Sequence, residues 1–429
     1  MKQSLPLENR TFKILTLGCR VNITESRGIK EALLFAGMRE AAEGEKPDIA
    51  VVNTCAVTAE SERKSRQTVR RICGGGTKVI VTGCMPEIHD PSVGGVTVVP
   101  NGKKSSIPHI AAGLLGFPDA VPAFSGCTLP VSGSEGVHGY IKIEDGCDNV
   151  CSYCVIRRAR GSVVSRPKDE IIAEAKRLSL AGLREIVLTG IEVAAYGRDS
   201  GENLADVIES ISKIDGIDRI RMGSLEPTLL LGDFTERLSE IPRFSPWFHL
   251  SLQSGSSRVL AAMRRKYNRD MEYKAVERVK RAFPGASFSA DIIAGFPGET
   301  DAEFEETLSL CKEIPLLHIH AFPFSPRPGT EAAEMPSQIP PSVKKERIAA
   351  LTSLDGELKE TIYGGAADEE KSLSVLVEQK KGRYHFGHSR EMFETYISAD
   401  GNIPAGSIIE VKATAGDRRG VFAKPWERE

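Results

Sequence analysis

Cys147, Cys151 and Cys154 stand together in the stretch EDGCDNVCSYCVIRRARG, three and two residues apart, with no fourth cysteine or histidine beside them. Three thiols so placed suit a metal centre. Structural zinc closes on four ligands, typically two pairs separated by a loop, and this stretch has no second pair. Thiolates at short spacing also wrap iron–sulfur cubanes. Three of them on a four-iron cubane leave one iron open, and an open position marks a reactive metal site rather than a structural one. A second trio is more widely spread. Cys19, Cys55 and Cys84 each end an apolar run: TFKILTLGC (11–19), PDIAVVNTC (47–55) and TKVIVTGC (77–84).

The elements around these cysteines must bring them together. The three runs alternate with helical patterns, from Thr24 to Met38 and on through Arg71, which predicts a doubly wound parallel α/β domain over residues 1–115. Ligands of such sheets lie beyond the carboxyl ends of the strands. Cys19, Cys55 and Cys84 therefore converge, as a second metal site with three protein ligands, and Asn22 is placed to hydrogen-bond the turn that presents Cys19. Residues 116–137, rich in Gly, Pro and Ser, read as a linker. Over 138–363 six apolar runs follow, GYIKIE, EIVLTG, RIRMGS, WFHLSLQS, SFSADIIAGF and LHIHAFPF, separated by helical patterns. They predict a partial (β/α)6 barrel with its functional groups at the strand ends. His318 and His320 alternate on the sixth run and read as core or rim residues. From 364 to 429 the runs LSVLVEQKK, YHFGHS, ETYISAD and SIIEVKATAG predict a small all-β barrel, either a nucleic-acid-binding scaffold or a stabilising cap.

Composition narrows the setting. The 429 residues allow two to four domains, and 27% charged residues is ordinary for a soluble protein. MKQSLPLENRTF has no basic-then-apolar leader pattern, and no apolar run reaches the roughly 18 residues of a membrane span, so a cytoplasmic protein is expected. There, nine cysteines are not a disulfide framework; Cys73, Cys127 and Cys311, without partner spacing, read as buried thiols. A net charge of −2 gives no overall pull toward nucleic acid. Basic runs at ERKSRQTVRR (62–71), with Arg63, Arg66 and Arg70 on one helical face, and at MRRKYNR (263–269) permit an anionic partner locally.

The spacing Cys147-x3-Cys151-x2-Cys154, with Tyr153 before the last cysteine, resembles the signature of radical S-adenosylmethionine (SAM) enzymes. LGCRVN, VVNTCAVT, VTGC, LTGIEVAAYG, SLEP, HLSLQSGSSRVLAAMRR, DIIAGFPGET and FPFSPRPGT extend the resemblance over nearly the whole chain, to the radical SAM methylthiotransferases. The C-terminal segment is similar to their RNA-binding TRAM domain. GCRVN with NTCAVTAESERKSRQ looks most like the branch acting on N6-threonylcarbamoyladenosine. Two departures stand out. Arg157 and Arg158 replace the usual proline and aromatic after the motif, and Glu192 stands where many relatives have Asn or Asp.

The resemblance implies two 4Fe–4S clusters, one on each cysteine trio, and SAM bound at the open iron of the first. Reductive SAM cleavage would give a radical able to take hydrogen from C2 of the base, and the second cluster would present the sulfur. It further implies SAM contacts from Tyr153, Thr189, Gly190, Glu192, Ser224, Glu226, Gln253, Asp291 and Gly295. The RNA contacts expected are Arg63, Arg66, Arg70, Lys380, Lys381 and Arg383, with salt-sensitive binding. Partners would be the anticodon stem-loop of tRNA, an electron donor such as a flavodoxin or ferredoxin, and a sulfur source. Isopentenyl-adenosine in tRNA and a ribosomal-protein aspartate are the alternative substrates, and a non-catalytic iron–sulfur or zinc RNA-binding protein is the alternative class.

Overall fold

The computed structural model describes residues 7–73, 75–89, 93–121 and 136–426. Cys127 and most of the expected linker lie outside these. The first domain is a five-stranded parallel sheet in the order β2-β1-β3-β4-β5. Its strands are β1 (Thr11–Thr16), β2 (Arg39–Glu40), β3 (Ile49–Thr54), β4 (Lys78–Gly83) and β5 (Val96–Val98). Side chains alternate across it. Ile49, Val51 and Ile80 pack to one face with Ile29, Leu33 and Ile107, while Val52, Val79 and Val81 pack to the other with Val69. The faces are covered by α1 (Arg20–Phe35), α2 (Ala59–Ile72), α3 (Cys84–Ile88) and α4 (Ile107–Leu114). α1 starts at Arg20, four residues earlier than the periodicity predicts, with Cys19 as its N-cap. α2 is set by a capping box: Ser61 N–H donates to Thr58 Oγ1 and Thr58 N–H to Ser61 Oγ.

The second domain carries the six expected parallel strands. They are β6 (His138–Lys142), then, after a two-residue ribbon β7 (Glu144–Asp145) paired with β8 (Val164–Ser165), β9 (Glu185–Thr189), β10 (Arg219–Met222), β11 (Trp247–Gln253), β12 (Ser287–Ala294) and β13 (Leu316–Pro323). They form the sheets β10-β9-β6 and β11-β12-β13, joined by parallel bridges Ile220↔Phe244 and Leu225↔Leu250 into one open half-barrel. The ribbon brackets the cysteine loop, whose last turn is α5 (Ile156–Arg160).

A 28-residue helix, Pro341–Asp368, runs past residue 363 and into the third domain. There β14 (Ser372–Lys381), β15 (Tyr384–Ser389), β16 (Glu394–Ile397), β17 (Ile408–Asp417) and β18 (Gly420–Pro425) close a barrel in the order β14-β15-β16-β18-β17. The sequence runs account for four of these strands. β18 is a fifth, and its parallel pairing with β16 completes the closure. The barrel sits under the half-barrel: Arg219, first residue of β10, donates to His388 O and Ser374 O, and Ser287, first residue of β12, to Glu391 O.

Candidate active site

The loop 146–163 is held by backbone. Gly146 has φ 81°, and a Cβ there would lie 2.0 Å from Ser162 O, so only glycine lets the two arms of the loop meet. Cys147 N–H donates to Gly161 O at 3.1 Å, and Cys154 N–H to Cys151 O at 3.1 Å. Each sulfur has a donor aimed at it: Asn149 N–H to Cys147 Sγ at 3.4 Å, Arg265 to Cys151 Sγ at 3.2 Å, Ile156 N–H to Cys154 Sγ at 3.5 Å. Such donors stabilise thiolates, the ligand form. Without a metal, burial pushes the Cys147 thiol up to about 12. Among the described residues no three His, Cys, Asp or Glu close on a single ion. A cubane, with each thiolate on a different iron, holds its ligands farther apart than one ion does.

The second trio gathers at the switch point between β1 and β3, where the chain changes direction across the sheet. Gly18, at φ 98°, lies so close to Cys55 that a Cβ would be 2.8 Å from its Sγ. Asn22 donates to Leu17 O at 2.7 Å and Thr54 O at 2.9 Å, tying the Cys19 turn to the Cys55 turn as expected. Cys84 is the first residue of α3. Its thiol is raised by burial and opposed by the positive charge of Arg160, with Cys19 close enough to act on it as a like charge.

Arg160 comes from the other trio's loop, so the two sites share a residue. It also donates to Asn22 Oδ1 at 2.6 Å, to Glu25 Oε1 at 2.9 Å and to Asp145 Oδ1 at 2.9 Å. Lys142 bonds the same two carboxylates at 2.7 and 2.6 Å, and Lys104 bonds Glu25. Burial alone would raise Glu25, but Lys104, Lys142 and Arg160 hold it well below the usual carboxylate range. Three cations against two anions leave the buried cluster one positive charge in excess, beside Cys84. Removing one member of such a group costs about 3–5 kcal/mol.

A second polar group lines the strand ends above the first trio. Arg265 pairs with Glu226 at 2.9 Å, and Asn149 Nδ2 bridges Glu226 at 3.2 Å and Glu192 at 3.1 Å. Glu192 N–H donates to Glu144 Oε1 at 2.6 Å. Burial, then repulsion from Glu226, pushes Glu192 up to about 7. Burial pushes Glu144 up to about 8. Gln253 ends β11 at φ 67°, a left-handed backbone for a non-glycine residue and a mark of functional constraint.

Residues 141–311 match the model of the radical SAM superfamily, and 11–95 that of the Uncharacterized protein family UPF0004. The chain is 37% identical to the threonylcarbamoyladenosine tRNA methylthiotransferase MtaB of Thermotoga maritima, over 80% of this chain and 81% of that one. It is 33% identical to the MtaB of Chlamydia pneumoniae, over 96% and 98%. The chain belongs to the radical SAM methylthiotransferases. It is also 31% identical to a tRNA-2-methylthio-N(6)-dimethylallyladenosine synthase of Pelotomaculum thermopropionicum, over 94% and 95%. The fold is shared with the radical SAM methyltransferase TsrM of Kitasatospora setae, at a TM-score of 0.55 and 13% identity, over 76% of this chain and 77% of that one.

Enzymes of this methylthiotransferase's superfamily use SAM on a 4Fe–4S cluster, and the polar group suits such a ligand. Glu144 Oε2, Asn149 Oδ1 and Glu226 Oε2 are buried with no hydrogen-bond partner, as expected of groups that receive a cationic amino group. A Cβ on Gly190 would sit 2.0 Å from Glu144 Oε1, so only glycine lets the strand end approach that carboxylate. Of the other expected contacts, Thr189 is buried and accepts Ile143 N–H at 2.9 Å, and Ser224 is exposed beyond the end of β10. Tyr153 packs against the cluster of Met263, Phe296 and Phe324. Asp291 lies deeper in the half-barrel, 3.2 Å from His249 Nε2. Gly295 N–H is taken by Glu299 at 2.7 Å, and the residue abuts Lys344 of the long helix.

The RNA candidates fall into two sets. On α2, Arg63 is paired with Glu60 and Arg66 with Glu62, each at 2.7 Å, while Arg70 is exposed. Glu62 is further bonded by Arg327, which ties α2 to the half-barrel. On the C-terminal barrel Lys380, Lys381 and Arg383 are exposed around the β14–β15 turn. There Lys381 and Arg383 stand over Phe386 and Tyr384, beside a stacked Tyr396–Phe422 pair. Arg265, Asn149, Glu25 and Arg160 escaped sequence reasoning as site residues. Arg265 sat in a run read only as a basic patch, and Arg160 carries no signal until the domains are docked.

Proposed function

We propose that this methylthiotransferase inserts a methylthio group at C2 of N6-threonylcarbamoyladenosine, next to the tRNA anticodon. One observation carries the reading: Arg160, on the loop of the first cysteine trio, donates to Asn22 and Glu25 of the helix that Cys19 caps, so the two trios meet across one domain interface. A hydrogen-abstracting centre and a sulfur-presenting centre on these trios would lie within reach of one base. The relatives named for threonylcarbamoyladenosine, matched over most of their length, support the substrate.

Cys147, Cys151 and Cys154 would hold one 4Fe–4S cluster and Cys19, Cys55 and Cys84 another. When bound, the first with SAM supplies hydrogen abstraction from an unactivated carbon, and the second supplies the sulfur. Asn149, Arg265 and Ile156 aim N–H groups at the sulfurs of the first trio. Glu226 and Asn149 orient the SAM amino acid, with Glu144 as a further acceptor for its amino group, while Glu192 accepts from the Asn149 amide and holds it in place. The C-terminal barrel reads as a TRAM domain that grips the anticodon stem-loop through Lys380, Lys381, Arg383 and the aromatic patch. No described helix is long and apolar enough to cross a membrane, and a cytoplasmic tRNA enzyme supplied by a flavodoxin- or ferredoxin-type donor and a separate sulfur source fits this chemistry. Mass spectrometry of tRNA nucleosides from a deletion strain tests the proposal. The 2-methylthio derivative of N6-threonylcarbamoyladenosine should vanish, and an unchanged profile would refute the assignment.

A further inference from the structure

All three domains meet around one cavity of about 220 Å³. Arg20 enters from the first domain. Trp247, Ser289, His318 and His320 come from β11–β13, Lys359 and Tyr363 from the helix Pro341–Asp368, and His388 and Glu394 from the C-terminal barrel. The strand residues lie in the first five positions of their strands, below the cysteine end. A ligand filling this cavity is therefore not SAM. The volume is below the roughly 300–1,000 Å³ that encloses a whole drug-sized ligand, and suits a substituent instead.

The lining is polar, which decides the kind of substituent. Arg20 is exposed; its guanidinium overlies the Tyr140 ring at 5.8 Å, and the carboxylate that acts on it, Glu185, is already hydrogen-bonded by Arg221 and His138. The other cation, Lys359, is 3.1 Å from Asp355 and so already neutralised. Glu394, the acid on the wall, is not in ion-pair range of Arg20 and can accept from an N–H or a hydroxyl. An unpaired guanidinium is a planar fork that matches a carboxylate bidentately. A wholly apolar substituent would desolvate Arg20 without compensation.

We propose that this cavity receives the N6 substituent of the substrate adenosine and that Arg20 binds its carboxylate, which makes Arg20 a specificity-determining residue. The inference rests on the threonylcarbamoyl reading above. The test measures binding of anticodon stem-loops by fluorescence anisotropy to the reconstituted enzyme, comparing the threonylcarbamoyl RNA with the same RNA as its methyl ester. Wild-type enzyme should prefer the acid by about 10- to 100-fold, the worth of one charge-assisted pair. Arg20→Gln should bring the two affinities together, and Lys213→Met, an exposed cation outside the cavity, should preserve the preference. Iron content and thermal unfolding of the same samples, expected to match wild type, separate a lost carboxylate contact from a general loss of folding. An Arg20→Gln enzyme that keeps the wild-type ratio overturns this inference alone. A wild-type enzyme that methylthiolates the isopentenyl stem-loop and not the threonylcarbamoyl one overturns the substrate reading, and this inference with it.

Discussion

The two cysteine trios are built in opposite ways. Cys147, Cys151 and Cys154 share one loop, and each sulfur meets a donor from its own domain. Cys19, Cys55 and Cys84 come from three strand ends, and the charged group beside them is completed by Lys142, Asp145 and Arg160 of the next domain. A contiguous loop can order its ligands by itself, whereas the dispersed site depends on two domains being docked. The first should therefore tolerate damage at the domain interface better than the second.

The largest effect expected of this contrast is a separation of functions. Cys147→Ala should abolish both reductive SAM cleavage and methylthiolation, whereas Cys84→Ala should abolish methylthiolation and leave cleavage running. Iron analysis of each variant should fall from about eight per chain toward four; cleavage lost in both variants would show that the sites are not separable. Next, Arg160→Ala should lower stability by about 3–5 kcal/mol in denaturant unfolding and empty the second site before the first. Arg265→Gln breaks the buried pair with Glu226 and should cost a similar amount, about 3–5 kcal/mol, but should alter the electron paramagnetic resonance signal of the first cluster only. Loss of the second cluster's signal on Arg265→Gln would erase the distinction between a self-contained and a docked site. Smaller again, Gln253→Gly should relieve a left-handed residue and gain about 1 kcal/mol while weakening SAM binding measured by calorimetry.

A pH-dependent effect lies away from both trios. His320, facing His318, His249, Asp291 and Asp355, is pushed by burial and the neighbouring imidazoles from 6.5 down to about 4. A base with a lowered folded pKa contributes stability above its unfolded value, and that contribution drains away as pH falls from about 6.5 to 4. His320→Phe should flatten this stretch of the stability-versus-pH curve; an unchanged slope would assign the acid sensitivity elsewhere.

The contrast between the trios also explains what the chain's letters reveal. The contiguous motif was legible from spacing, and the dispersed one from the fact that three apolar runs end in cysteine. The six strands of the half-barrel were legible because each is an apolar run between helical patterns. β18 was not, because AKP breaks its alternation and only pairing with β16 and β17 makes it a strand. Glu25, Lys104 and Lys142 sit in ordinary amphipathic contexts as solvated charges would, and only their convergence across domains shows them buried. Asp291 and Gly295 follow the strand pattern, but their partners, His249 and Lys344, come from elements no periodicity relates to them.

The helix Pro341–Asp368 has a mechanical consequence. Its 28 residues span about 42 Å. Near one end Lys344 abuts Gly295 at the strand ends; near the other the Tyr363 carbonyl is so close to Gly416 of the C-terminal barrel that a Cβ there would lie 2.0 Å away. Both joints lock on glycine, so the helix acts as a caliper. The distance from the barrel's exposed cations to the half-barrel is counted in helical residues, and one inserted residue would swing the whole grip by about 100° while lengthening it by only about 1.5 Å.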